Sequence, residues 1–248
     1  MRKPKYTWSL FATLLLVIAA FASAAIALRP LVFGLEKAQE IRRENKQFYL
    51  NAEIVQEMRL EAEKGEEPLP YEDLYEAMQG YNTWLAESRQ CYLTDRASTE
   101  AVPFYLTRYG LPDEVFGVIR IPAMDLEMPL YLGANDENMA NGAAVLTQTS
   151  IPIGGESTNA VIAGHRGYGG YKYFKDIELL QKGDSVTITN LWGELVYEVT
   201  GIRIVYPNDV DAILIQEGRD MITLMTCHPP NSGGKYRYLV FCERVSEG

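Results

Sequence analysis

The sequence predicts a mainly β domain, a barrel with short helices, carried behind an N-terminal transmembrane helix and a helical stalk. Three observations predict it. From Tyr6 to Leu28 no residue is charged. Two stretches between Leu35 and Arg89 carry helical patterning. After Asp113 the chain becomes a series of short β-prone runs separated by turn residues.

The first element is an anchor, residues 1–33. Its apolar run has the ~20 residues that a helix needs to cross a bilayer core. Arg2, Lys3 and Lys5 precede the run, so the positive-inside rule puts the N-terminus in the cytoplasm and the rest of the chain outside. A cleaved signal peptide is the competing reading, because Phe21-Ala22-Ser23-Ala24 offers small residues to a signal peptidase. The run continues past that site to Leu28 and on through Leu31–Phe33, which favours a retained single-pass anchor.

Residues 34–112 read as an extracytoplasmic stalk and possible lid region. Ala38, Ile41, Ile54 and Met58 are spaced apolar positions in a helix over Leu35–Lys64, ended by Gly65 and the prolines Pro68 and Pro70. A second helix fits Tyr71–Arg89, entered through Glu72 and Asp73. Thr94–Pro112 has no clear period and reads as a loop.

Residues 113–248 hold the β-rich domain. The runs are Val115–Ile121, Met128–Leu132, Ala143–Leu146, Ala160–Ala163, Ser185–Thr189, Leu195–Tyr206, Met221–Met225 and Tyr236–Cys242. Short helices fit Asp136–Ala140, Tyr171–Leu180 and Val210–Ile213. Many short strands with few helices predict a closed or nearly closed barrel.

Composition narrows the function. Hydrophobic content is 47%, charged content is 23% and the net charge is −10, with no long basic run. That is the balance of a folding chain, and it argues against nucleic acid as a partner. Cys91, Cys227 and Cys242 are an odd set, so at least one thiol is free, and no Cys/His spacing resembles a zinc site. No metal and no cofactor is implied.

The chemistry-bearing residues lie at strand ends. Met221–Met225 leads to Thr226-Cys227-His228-Pro229-Pro230, and Pro229 should stop the strand near Cys227. A thiol there is accessible, although position alone leaves open a buried core cysteine. Ala160–Ala163 runs into Gly164-His165-Arg166-Gly167, so a histidine follows a second strand. His228 is the rival base, but neighbours in an extended segment face opposite ways, which turns its ring from the sulfur. Arg237 opens the strand after the Cys227 loop. Its guanidinium suits a developing oxyanion, with a solvated strand charge as the alternative.

Taken together these motifs are similar to those of the sortase family. Thr223-Leu224-Met225-Thr226-Cys227 resembles the Thr-Leu-x-Thr-Cys signature, and Arg237 before Tyr238-Leu239-Val240 resembles the arginine of the following strand. Thr149–Gly155 and Asn159–Gly167 resemble class C, the pilus-assembling sortases, as do Gly117–Pro122 and Met128–Tyr131. The resemblance covers about Glu114 to Val245. It implies an eight-stranded sortase-type β-barrel with Cys227, His165 and Arg237 as catalytic residues. It also implies two-step acyl transfer, in which the thiol cleaves a Leu-Pro-x-Thr-Gly-like sorting signal and an amine releases the thioester. In class C the amine is a pilin lysine; in housekeeping sortases it belongs to a peptidoglycan precursor. The Asp-Pro-aromatic lid motif usual in class C does not occur here, and no second apolar span follows the barrel region.

Cys91 and Cys242 match no role in the family. Cys242 is expected in the core and Cys91 after the second helix. The loops around Asn208 and Tyr168–Lys172 are candidates for shaping a substrate groove. The rival readings are a papain-like surface amidase and a non-catalytic β-domain that binds wall components.

Overall fold

The computed structural model describes residues 6–65, 68–88, 90, 93 and 103–245. Cys91 and residues 94–102 of the possible lid lie outside these.

A single helix, α1 (Tyr6–Gly65), joins the predicted anchor to the predicted stalk helix without a break. Pro30 lies inside it. The apolar first part is exposed, with Phe11 65% and Phe21 72% accessible, and it is long and apolar enough to cross a membrane. The second part docks lengthwise on the barrel. Ile41, Phe48, Ala52 and Val55 recur on one helical face and enter the main core. Polar contacts fix the register: Lys37 donates to Asn141 at 3.0 Å, Tyr131 to Glu44 at 3.0 Å, and Gln56 to the Leu191 carbonyl at 2.7 Å. At Gly34 the helix comes so close to the Gly170 backbone that a Cβ would lie 2.5 Å from its carbonyl oxygen. Only glycine permits that approach.

Helix α2 (Glu72–Glu87) buries Leu74, Met78, Asn82 and Leu85. Asn82 is satisfied there, since its amide exchanges hydrogen bonds with the Ile151 backbone at 2.9 and 2.7 Å. The described end of the predicted loop is tighter than expected. Leu106–Tyr109 form a 3-10 turn because the Glu114 carboxylate accepts from Leu106 N, Thr107 N and the Thr107 hydroxyl.

Eight strands close into the expected barrel: β1 (Val115–Ile121), β2 (Leu126–Leu132), β3 (Ala143–Val145), β4 (Thr158–Ala163), β5 (Ser185–Asn190), β6 (Gly193–Val205), β7 (Asp220–His228) and β8 (Tyr236–Arg244). Their spatial order is β1-β2-β3-β4-β7-β8-β6-β5. A short helix, α3 (Asp136–Asn141), is capped by Asn135, whose side chain accepts from Asn138 N at 2.9 Å.

Two pairings position the site. β4 and β7 run parallel, with Ala163 opposite Met225, so both strands end at the same rim. β7 and β8 run antiparallel, with Cys227 opposite Arg237. Along β4, β7 and β8 alternate residues sort into two clusters. Ile162, Leu224 and Val240 join the main core, while Val161, Ala163, Met225 and Leu239 form a second cluster beneath Val210–Leu214.

The helix predicted over Tyr171–Leu180 is a correction. Only Ile177–Leu179 form a 3-10 turn. Tyr173 and Phe174 are fully buried, and Phe174 N donates to the His165 carbonyl at 2.9 Å. Burying both rings at successive positions draws the segment across the barrel and prevents it from coiling. Val210–Ile213 is likewise a 3-10 turn.

Candidate active site

Strand β7 carries Cys227 to the rim before Pro229, which has no amide proton to donate, ends the ladder. The thiol is free and exposed. Across the strand pair, Arg237 Nη1 donates to Cys227 Sγ at 3.7 Å. The same nitrogen donates to the carbonyls of Gly234 at 2.9 Å and Tyr236 at 3.4 Å. The β7–β8 turn thus holds the guanidinium against the sulfur. Gly234, at φ +80°, makes room for the pair: a Cβ there would sit 2.8 Å from Arg237 Nη1 and 3.4 Å from Sγ. The sequence placed Gly234 in the loop but gave no sign of this role.

His165 lies two residues beyond Ala163, at the end of the strand parallel to β7. Gly164 N donates to the Met225 carbonyl at 3.1 Å, and Thr226 Oγ1 donates to the Gly164 carbonyl at 2.7 Å. These two bonds stitch the residue before the histidine to the two residues before the cysteine. Extending the parallel register puts His165 beside Cys227, on the face shared by Val161, Ala163 and Met225.

The histidine ring rests against tyrosines. It stacks on Tyr168 with centroids 4.8 Å apart and planes 25° apart, and meets Tyr173 edge-on at 5.8 Å. Burial lowers its pKa, opposed by the Asp136 charge. Desolvation penalises the imidazolium, so the resting ring favours the neutral form that can accept a proton. From the sequence, Tyr168 is legible only as part of a loop that is a candidate for shaping a substrate groove.

His228 faces the other way, as strand alternation requires. Its Nδ1 lies 3.3 Å from Glu178 Oε1, and its ring packs near Tyr238 with centroids 5.6 Å apart. Cys242 is buried in the main core, where desolvation pushes its thiol pKa far up. The structure therefore brings Cys227 and Arg237 into contact, puts His165 on the adjoining strand end, and removes His228 and Cys242 to the opposite face. Among the described residues no group of three or more His, Cys, Asp or Glu converges as a metal site.

Comparison with known proteins points to one family. A family profile described as a sortase domain matches residues 119–245. A curated relative, sortase A of Bacillus anthracis, is 33% identical over 127 residues, covering 51% of this chain and 58% of that protein. Among solved structures, Streptococcus agalactiae sortase C1 superposes with a TM-score of 0.64 at 27% identity, covering 77% of this chain and 98% of that one. A pilus-related sortase C of Group B Streptococcus gives a TM-score of 0.56 at 28% identity, covering 71% and 97%. The chain thus spans less than two thirds of the curated relative, while it covers almost the whole of both solved structures. With its profile match spanning half the sequence, the chain belongs to the sortase family.

Proposed function

We propose that the chain is a membrane-anchored cysteine transpeptidase that cleaves a Leu-Pro-x-Thr-Gly-like sorting signal and passes the acyl group to an amine, a pilin lysine in the favoured reading. The observation that carries it is the exposed Cys227 thiol with the Arg237 guanidinium 3.7 Å from its sulfur, on the strand laced to the His165 turn.

In this reading the Cys227 sulfur attacks the threonine carbonyl. A free thiol is only a few per cent thiolate near neutral pH, so a base is needed. Neutral His165 takes the thiol proton, which requires its ring to swing from Tyr168 toward the sulfur. Catalytic hydrogen bonds are often loose before substrate binds. The tetrahedral oxyanion is stabilised by Arg237. As it collapses the C–N bond breaks, the proton on His165 goes to the leaving glycine amine, and a thioester remains on Cys227. The incoming amine then attacks and gives its proton to His165, the C–S bond breaks as the amide forms, and His165 returns the proton to the departing Cys227 sulfur.

The second cluster supports an extended substrate. On the face of Cys227 and Arg237 the half-buried Met225 lies at the rim of an apolar cluster in which Val161 and Leu239 are fully buried beneath Val210–Leu214. The exposed apolar half of α1 supports a single bilayer span with the barrel outside, and a sorting-signal protein would be met there.

The test incubates the protein with a Leu-Pro-x-Thr-Gly peptide and looks by mass spectrometry for an acyl adduct on Cys227. A pilin lysine peptide and a short glycine amine are then offered as acceptors. Amide formed with the lysine peptide supports pilus polymerisation; amide formed only with the glycine amine supports wall anchoring instead. No adduct with intact binding would make the chain a binding module.

A further inference from the structure

Behind the rim, three separate segments meet on one carboxylate oxygen. Arg166, the residue after His165, turns inward until its side chain is 6% exposed, with Nη2 2.5 Å from Glu178 Oε1. His228, the residue after Cys227, brings Nδ1 to 3.3 Å from that same oxygen, within ion-pair range but outside hydrogen-bond geometry. Tyr238 closes the cluster, with the Arg166 guanidinium 5.6 Å from its ring centre and the His228 ring centroid also at 5.6 Å.

Glu178 is well placed to hold them. It sits in the Ile177–Leu179 turn, between the buried side chains of Ile177 and Leu180. Arg166 needs it, since Nε and Nη1 of that guanidinium are buried without a hydrogen-bond partner. A buried cation so poorly satisfied depends on its nearest anion.

We propose that Glu178 is a positioning residue for the His165–Cys227 pair: one oxygen holds the immediate neighbours of both residues and so sets their spacing. The inference rests on the proposed function, in which that pair performs acyl transfer. Consecutive Cα atoms are about 3.8 Å apart and the peptide between them is rigid, so tethering each neighbour constrains the functional residue next to it. A misplacement of about 1 Å can cost ~10²-fold in rate.

The test uses the full chain and follows acyl-adduct formation on Cys227 with the sorting peptide. Glu178→Ala should lower kcat per folded molecule about tenfold or more with KM little changed, and lower the melting temperature as Arg166 loses its anion. Glu178→Gln, which keeps an acceptor for Arg166, should recover part of the loss. The pH profile of Cys227 alkylation in Glu178→Ala should move toward that of His165→Ala. In an Arg166→Met/His228→Phe background, Glu178→Ala should change nothing further. Wild-type kcat in Glu178→Ala, a rate loss matched by lost folded protein, or full additivity in that background would each overturn the clamp. Cys227→Ala separates the two levels: activity surviving it sinks the proposed function and the clamp together, whereas its abolition beside an unaffected Glu178→Ala sinks the clamp alone.

Discussion

Cys227 and Cys242 carry the same atom on adjoining strands of one antiparallel pair, and their surroundings differ in every respect. Cys242, opposite Ile222 in mid-strand, faces the barrel core and is fully buried. Cys227, at the rim of the other face, is exposed and has a guanidinium on its sulfur. Strand alternation sets which face a thiol sees, and distance from the strand end sets whether solvent reaches it. A cysteine's chemistry here is decided by parity and position, and only then by neighbours.

The largest effect expected from that contrast is at Cys227. Cys227→Ala should abolish the acyl adduct while moving stability by no more than about 0.5 kcal/mol, because the side chain is exposed; retained turnover would break the comparison. Next comes Arg237→Ala, expected to cost ~10²–10³ in the acylation rate, as for loss of one oxyanion donor. Arg237→Lys should restore only part of it, since one ammonium cannot reproduce the planar fork. Cys242→Ser reverses the pattern. Activity per folded molecule should hold, and urea unfolding should report a loss of about 1–3 kcal/mol from burying an unpartnered hydroxyl.

Thiol labelling sharpens the same comparison. In a Cys91→Ser background, iodoacetamide at neutral pH should modify Cys227 in the native protein and Cys242 only after unfolding. The smallest effect concerns His165. Its folded pKa lies below the ordinary value, so the stability from keeping the ring neutral is complete above about pH 6.5 and is lost as pH falls toward the folded value. His165→Phe should flatten that acid-side loss of stability in denaturant titrations.

Much of this was legible because the barrel writes itself in period two. All eight runs became strands, and Pro229 marked the end of β7 to within a residue. The opposition of Cys227 and His228 followed from alternation alone. What could not be read lies in contacts between distant segments. Tyr171–Leu180 has a composition that suits a helix, yet the demand to bury Tyr173 and Phe174 overrides local preference. That Glu178 faces both Arg166 and His228 depends on three segments meeting in space, which no periodicity records. Likewise Gly234 is one more loop glycine until Arg237 and Cys227 occupy the space where its Cβ would be.

Helix α1 has a mechanical consequence. At 1.5 Å per residue its 60 residues make a rod about 90 Å long. One half is bare and apolar, and the other is riveted along the barrel. In the proposed anchored form, with the bare half sunk in lipid, the barrel would be no balloon on a string: the thiol would work at one altitude and in one orientation. Cargo would then have to be delivered to that height, and a tilt of the rod would press on Gly170, five residues from the histidine.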